Sequence, residues 1–189
     1  MTWCVSSMRP FPGCLDRLRA EINAAVPDRS TPITHAAVRE LPYLNAVINE
    51  SQRLRPISPH GMSRIVPKEG VMLGGYFIPG GTTILASIKT LQEDKNVFPD
   101  PMAFKPERWL ADESTVATMK RSLIPFQIGP RACIGRVLAM MEMRLTIAEL
   151  VRHFAFEIPP HLQTDMTPVN RFIYRPKDNK YVVLPHRID

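Results

Sequence analysis

The stretch Phe126-Gln127-Ile128-Gly129-Pro130-Arg131-Ala132-Cys133-Ile134-Gly135 brackets a cysteine between two glycines, and a long helical pattern starts directly after it. Glycine admits positive φ and lets backbone come close to a flat ligand. A cysteine at the start of a helix meets unpaired backbone N–H groups and the positive end of the helix dipole, both of which favour thiolate over thiol. Arg131, two residues upstream, adds positive charge. These surroundings suit a soft anionic metal ligand. On these residues alone two other readings stay open. A lone cysteine is commonly a small buried hydrophobe, the default for Cys4 and Cys14. It can also be a nucleophile, but His153 lies about five turns down the helix and offers no nearby base.

Downstream of the loop, Leu138, Met141, Leu145 and Ala148 form one apolar stripe, widened by Ile147, Val151 and Phe154, and predict the longest helix over 136–154. The tail from Phe156 reads as a hairpin, with strands at 172–174 and 181–184 around the turn 176–179. Upstream, 112–121 reads as weakly helical or mobile, and 92–109 as an ordered meander rich in charge, proline and phenylalanine. Residues 56–88 read as extended, with short strands at 63–66, 71–73, 76–78 and 82–86. Gly74-Gly75 is a hairpin signal, and Pro79-Gly80-Gly81 marks a second turn. Pro42 suits a first helical turn, and Leu44, Val47, Ile48, Ser51 and Leu54 share a face that stops before Pro56. Thr34 can cap a short turn over 36–40, and Leu15, Leu18, Ile22 and Ala25 predict a helix over 14–26. Residues 1–13 read as irregular. The fold class is mixed α and β, with about three main helices and several short β-hairpins.

The chain has 189 residues, 44% apolar and 22% charged, which excludes a chain disordered throughout. Its formal charge of +6 is spread along the sequence, permitting an acidic partner without demanding nucleic acid. Nineteen prolines shorten helices and favour ordered turns. Cys4, Cys14 and Cys133 are odd in number and widely spaced, so they imply no disulfide framework and fit a reducing compartment. No apolar run reaches the ~18 residues of a membrane span, and the first residues lack the apolar core of a signal peptide.

The spacing Phe126-x-x-Gly129-x-Arg131-x-Cys133-x-Gly135 fixes five residues in ten, an improbable coincidence. At these residues the chain resembles the cytochrome P-450 family, the haem-thiolate monooxygenases. The resemblance implies that Cys133 is the axial thiolate on haem iron, the ligand that favours O–O cleavage. It implies that Gly129 and Gly135 give the loop its turn and its close contact with the macrocycle. Phe126 would pack near the sulfur, and Arg131 would pair with a haem propionate.

Two further motifs match. Glu50-Ser51-Gln52-Arg53 fits the family's E-x-x-R pattern, and Pro106-Glu107-Arg108-Trp109 its P-E-R pattern, with tryptophan where phenylalanine is common. An isolated Glu50–Arg53 pair at i, i+3 would be a surface salt bridge of little worth. The resemblance instead implies a structural network of Glu50, Arg53 and Arg108 that pins the meander to a helix. Arg64 is a second propionate candidate, weighed equally against a solvated arginine at a strand end. Residues 59–62 would face substrate, as would Arg171, Phe172 and Ile173. His60 reads as a packing or hydrogen-bonding residue rather than an iron ligand.

The resemblance runs from about residue 14 to 189 and covers only the C-terminal part of the mainly α family fold, with 1–13 as an atypical start. The family's long distal helix and membrane anchor have no counterpart, which implies a truncated or mispredicted product with weak haem binding and no oxygenation alone. The implied reaction inserts one oxygen atom of O2 into a small organic substrate, with electrons from a flavin-containing NADPH reductase. Arg131, Arg136 and Arg144 would offer that reductase a positive docking face, or else form a solvated face. A full-length member is expected at the endoplasmic reticulum membrane; this chain, lacking an anchor, would be soluble or cytoplasmic. Tail patterns at 168–171 and 174–178 resemble filamentous-fungal members. The alternatives are a non-catalytic fragment that binds haem weakly or not at all, and a basic nucleic-acid binder, for which no motif speaks.

Overall fold

The structure, a computed structural model, describes residues 2–8, 10–159, 161 and 164–188; Met1 and Arg9 of the segment 1–13, and Pro160, Leu162, Gln163 and Asp189 of the segment 14–189, lie outside it. Helices α1 (Thr2–Met8), α2 (Pro12–Ala25), α3 (His35–Val38), α4 (Pro42–Leu54) and α7 (Arg136–His153) pack around one apolar core. Met8, Leu18, Ile22, Val38, Leu44 and Val47 are withdrawn from water there, together with Ile147 and Val151 of α7. Each such side chain contributes about 1.5–3 kcal/mol by leaving water. The irregular start expected over 1–13 is corrected: residues 2–8 form a helical turn pair that buries Trp3, Cys4 and Met8. Burial of that apolar face outweighs the polar composition that argued for irregular chain.

α4 shows how local signals and tertiary contacts share the work. Pro42 opens the helix, where a missing N–H costs nothing. The Glu21 carboxylate of α2 accepts from the backbone N–H groups of Tyr43 and Leu44 at 2.8 and 2.9 Å, satisfying two free donors of the first turn. The helix ends at Leu54, before Pro56.

On the opposite side of α4, Ala46, Phe98, Trp109 and Met119 form a second, smaller core. It joins the meander, with its 3₁₀ turn Pro106–Leu110, to helix α6 (Glu113–Ser122). Of the two alternatives read for 112–121, weakly helical or mobile, the structure has the helix. The Asp112 carboxylate accepts the Thr115 N–H at 3.0 Å and caps it, and Met119 anchors it. Helix α5 (Ile88–Gln92), capped by Ser87, interrupts the run that reads as extended and meandering.

Among the described residues, four antiparallel two-stranded pairs complete the architecture. β1 (Arg64–Ile65) pairs with β4 (Thr83–Ile84), and β2 (Val71–Leu73) with β3 (Tyr76–Ile78) across Gly74-Gly75. The tail is corrected. Instead of one hairpin, β5 (Phe154–Glu157) pairs with β8 (Leu184–Arg187), and β6 (Pro168–Arg171) with β7 (Ile173–Pro176). Phe172, at φ 76°, makes the tight β6–β7 turn, where a non-glycine residue gives no turn signal. The mixed α and β class agrees with the sequence reading.

Candidate functional site

Glu50 and Arg53 lie one turn apart on α4, both completely buried. Two parallel bonds join them: Arg53 Nε to Glu50 Oε2 and Nη2 to Oε1, each at 2.9 Å. The other three guanidinium hydrogens go to the carbonyls of Gln92, Pro101 and Ala103 at 3.0, 2.7 and 3.1 Å. All five donors of Arg53 are thereby used. Arg108 adds Nε to Glu50 Oε1 at 3.1 Å and reaches the Pro99 carbonyl at 3.0 Å. The structure therefore brings Glu50, Arg53 and Arg108 together, and their contacts run along residues 99–109 of the meander.

Two more donors, missed in the sequence, complete the shell. Trp109 Nε1 donates to Glu50 Oε2 at 3.0 Å, and the Lys105 backbone N–H to Oε1 at 2.9 Å. In the sequence Trp109 stands out only as a departure from phenylalanine. The available signal was that a buried indole N–H needs an acceptor. Phe98 lies against both, its ring 5.3 Å from the Arg53 guanidinium and 6.0 Å from the Trp109 ring.

The cysteine loop leaves α6 and is closed by its own backbone. The Gln127 N–H donates to Ile124 O at 2.9 Å, Ala132 N–H to Gly129 O at 3.0 Å, and Cys133 N–H to Phe126 O at 2.9 Å. Gln127 and Gly129 hold positive φ, 60° and 75°, around the 3₁₀ turn Gly129–Arg131. The two glycines do different work. Gly129 supplies the left-handed turn, whereas Gly135 sits at φ −81° as the N-cap of α7. Its missing side chain leaves room beside sulfur, since a Cβ there would meet Cys133 Sγ at 3.9 Å.

Cys133 is exposed, whereas Cys4 and Cys14 are buried. Around it Ile128, Ile134, Val137 and Leu138 all present apolar surface outward. Arg131 is exposed on the same loop. Arg64 is brought to this loop as well: its Nη2 donates to Gln127 Oε1 at 3.1 Å, and Nη1 to the Met62 and Ser63 carbonyls. The two segments read as substrate-facing also meet, since Asn170 Nδ2 contacts His60 Nε2, and the Tyr174 N–H donates to Ile57 O at 2.7 Å.

A family model for cytochrome P-450 matches residues 1–183. The chain belongs to the cytochrome P-450 family. The match includes the first residues. Cytochrome P-450 monooxygenase hkm5 of Aspergillus hancockii is 40% identical over 168 residues, which are 88% of this chain and 32% of that protein. Cytochrome P-450 monooxygenase sdnE of Sordaria araneosa is 38% identical over 159 residues, 82% of this chain and 30% of that protein. The counterpart atr2 of Stereocaulon alpinum is 39% identical over 131 residues, 69% and 26%. The chain thus spans about a third or less of the length of these relatives. Among the described residues, no helix is long and apolar enough to cross a membrane.

The residues present fit the haem that the family implies. Among the described residues no group of three or more His, Cys, Asp and Glu is placed to hold a metal ion. A single thiolate holds iron firmly only when a macrocycle supplies the remaining ligands. Cys133 is accessible, its chain neighbours Ile134, Val137 and Leu138 are exposed apolar side chains that suit a porphyrin, and Arg131 on the loop and Arg64 bonded to it are cations for carboxylates.

Proposed function

We propose that this chain carries the thiolate-ligand portion of a haem-thiolate monooxygenase. The observation that supports it best is the exposed Cys133 beside the apolar residues Ile134, Val137 and Leu138, on a loop closed by the Cys133–Phe126 backbone bond. Cys133 would hold the iron, Arg131 and Arg64 the propionates, and Gly135 would keep the space next to sulfur clear. When bound, haem supplies activation of dioxygen for insertion of one oxygen atom into an organic substrate. The buried Glu50–Arg53–Arg108 cluster would act structurally, fixing the meander. A second portion of the reading concerns electrons. Lys120, Arg121, Arg136 and Arg144 line a groove of about 840 Å³ beside the loop, a cationic face suited to an acidic flavin-containing NADPH reductase.

In isolation the 189 residues would hold haem weakly and perform no oxygenation, because the apolar face around Cys133 stays open to water. The test is reconstitution of the purified chain with haemin, followed by reduction and carbon monoxide. A thiolate-type Soret band that disappears in Cys133→Ala supports the ligand role, and its absence from the parent chain overturns it. Tight haem binding with substrate turnover would refute the inactivity.

A further inference from the structure

Gln92 is a polar side chain with no exposure at all, at the end of α5, and neither motif contains it. Both polar atoms of its side chain and its backbone carbonyl are engaged, and the partners lie on two different parts of the site. Its Nε2 donates to the Gln52 and Arg53 carbonyls at 3.1 and 2.9 Å, two of the unpaired carbonyls of the last turn of α4. Its own carbonyl accepts from Arg53 Nη1 at 3.0 Å. Its Oε1 accepts the Ile124 N–H at 3.2 Å, at the entry to the cysteine loop.

From Ile124 the bonding continues. Ile124 O accepts the Gln127 N–H, and the adjacent Phe126 O accepts the Cys133 N–H. Gln127 Oε1 in turn accepts from Arg64. A continuous chain of bonds therefore leads from the Glu50–Arg53 pair, through the amide of Gln92, to the backbone that fixes Cys133 and to the side chain that holds Arg64. The Arg53 guanidinium does not reach the loop by itself; its acceptors are Glu50 and the carbonyls of Gln92, Pro101 and Ala103.

We propose that Gln92 is a positioning residue that transmits the rigidity of the Glu50–Arg53–Arg108 cluster to the Cys133 loop. The inference rests on the haem-ligand reading for its consequence, but not for its geometry. A glutamine suits the task because one amide donates on one side and accepts on the other, and burial leaves water no role as substitute. Without its acceptor, the Ile124 N–H is left unpaired in a partly buried site, and the loop can relax about that point.

Amide hydrogen exchange on the 189-residue chain without haem reads the relay directly. In the parent chain Ile124 should exchange more slowly than the unpaired amides of the same loop. In Gln92→Met, matched in length but unable to accept, Ile124 and Cys133 should exchange about tenfold faster, while the α2 core amides stay unchanged. Gln92→Glu keeps an acceptor oxygen toward Ile124 but loses the donor to the Gln52 and Arg53 carbonyls, so it should restore the protection only in part. Reconstituted with haemin, Gln92→Met should lose part of the thiolate-type band and Gln92→Glu retain more of it. An Ile124 amide that exchanges freely in the parent chain overturns the proposal, even if the variants do not fold. So does equal protection of Ile124 in parent and Gln92→Met. If the parent chain forms no thiolate band while the exchange pattern holds, the ligand reading fails and the relay stands.

Discussion

The indole N–H of Trp109 donates to Oε2 of Glu50, the oxygen that also receives Arg53 Nε. A neutral ring thus helps hold a buried carboxylate whose two charged partners cannot cover every lone pair. Trp109→Phe keeps most of the apolar volume of the second core and removes only that donor. The variant should lose about 2 kcal/mol of stability in urea denaturation, the scale of a hydrogen bond to a charged group. A loss below about 0.5 kcal/mol would show that Glu50 is satisfied without the indole.

Glu50 gathers five hydrogen bonds from Arg53, Arg108, Trp109 and the Lys105 amide. Glu50→Gln removes the carboxylate that the Arg53 guanidinium contacts. An uncompensated buried charge of this kind costs about 3–5 kcal/mol. The variant should therefore unfold at much lower denaturant, with the meander digested first in limited proteolysis. An unchanged midpoint would refute the structural role of the cluster.

The three cysteines should separate cleanly by accessibility. Iodoacetamide should label Cys133 in the native chain and all three only after denaturation, read by mass spectrometry. Burial pushes the Cys4 thiol up to about 12 from an ordinary value of 9.0. Burial likewise raises Cys14, partly offset by its contact with Tyr43. The folded state keeps these protons at pH values where the unfolded chain has lost them, so their contribution is full below about pH 9 and is lost as pH rises toward 12. Stability should fall over that alkaline window, and Cys4→Ala should flatten the fall. An identical slope in that variant would rule out Cys4 as its source.

The two loop glycines should respond differently to the same change. Gly129→Ala forces a Cβ into the left-handed region, at a cost of about 1–2 kcal/mol, although open space surrounds the position. Gly135→Ala meets no such strain and should change stability by less than about 0.5 kcal/mol. Its effect should appear at the sulfur instead, as slower alkylation of Cys133. Equal stability losses would contradict the separate roles assigned to them.

Much of this arrangement is legible in the chain because the strongest signals are local. Pro42 and Pro56 bracket α4, and the stripe from Leu138 to Phe154 marks α7 to within a residue of its end. The residues of the loop and the two arginine motifs are likewise contiguous patterns. What escaped depends on distant partners. α1 is helical because Trp3, Cys4 and Met8 find a core. The β5–β8 pairing joins residues about thirty positions apart, which no turn signal announces. Gln92 and Trp109 look ordinary until the carboxylate and the loop amide they serve are placed beside them.

All five bonds to Glu50 come from residues 53 to 109, and Cys133 follows 24 residues after Trp109. At about 5–20 residues per second of synthesis, the ribosome delivers the whole clamp a second or more before it delivers the sulfur. The scaffold can therefore assemble first, and the Cys133 thiol emerges onto a framework already set to receive it.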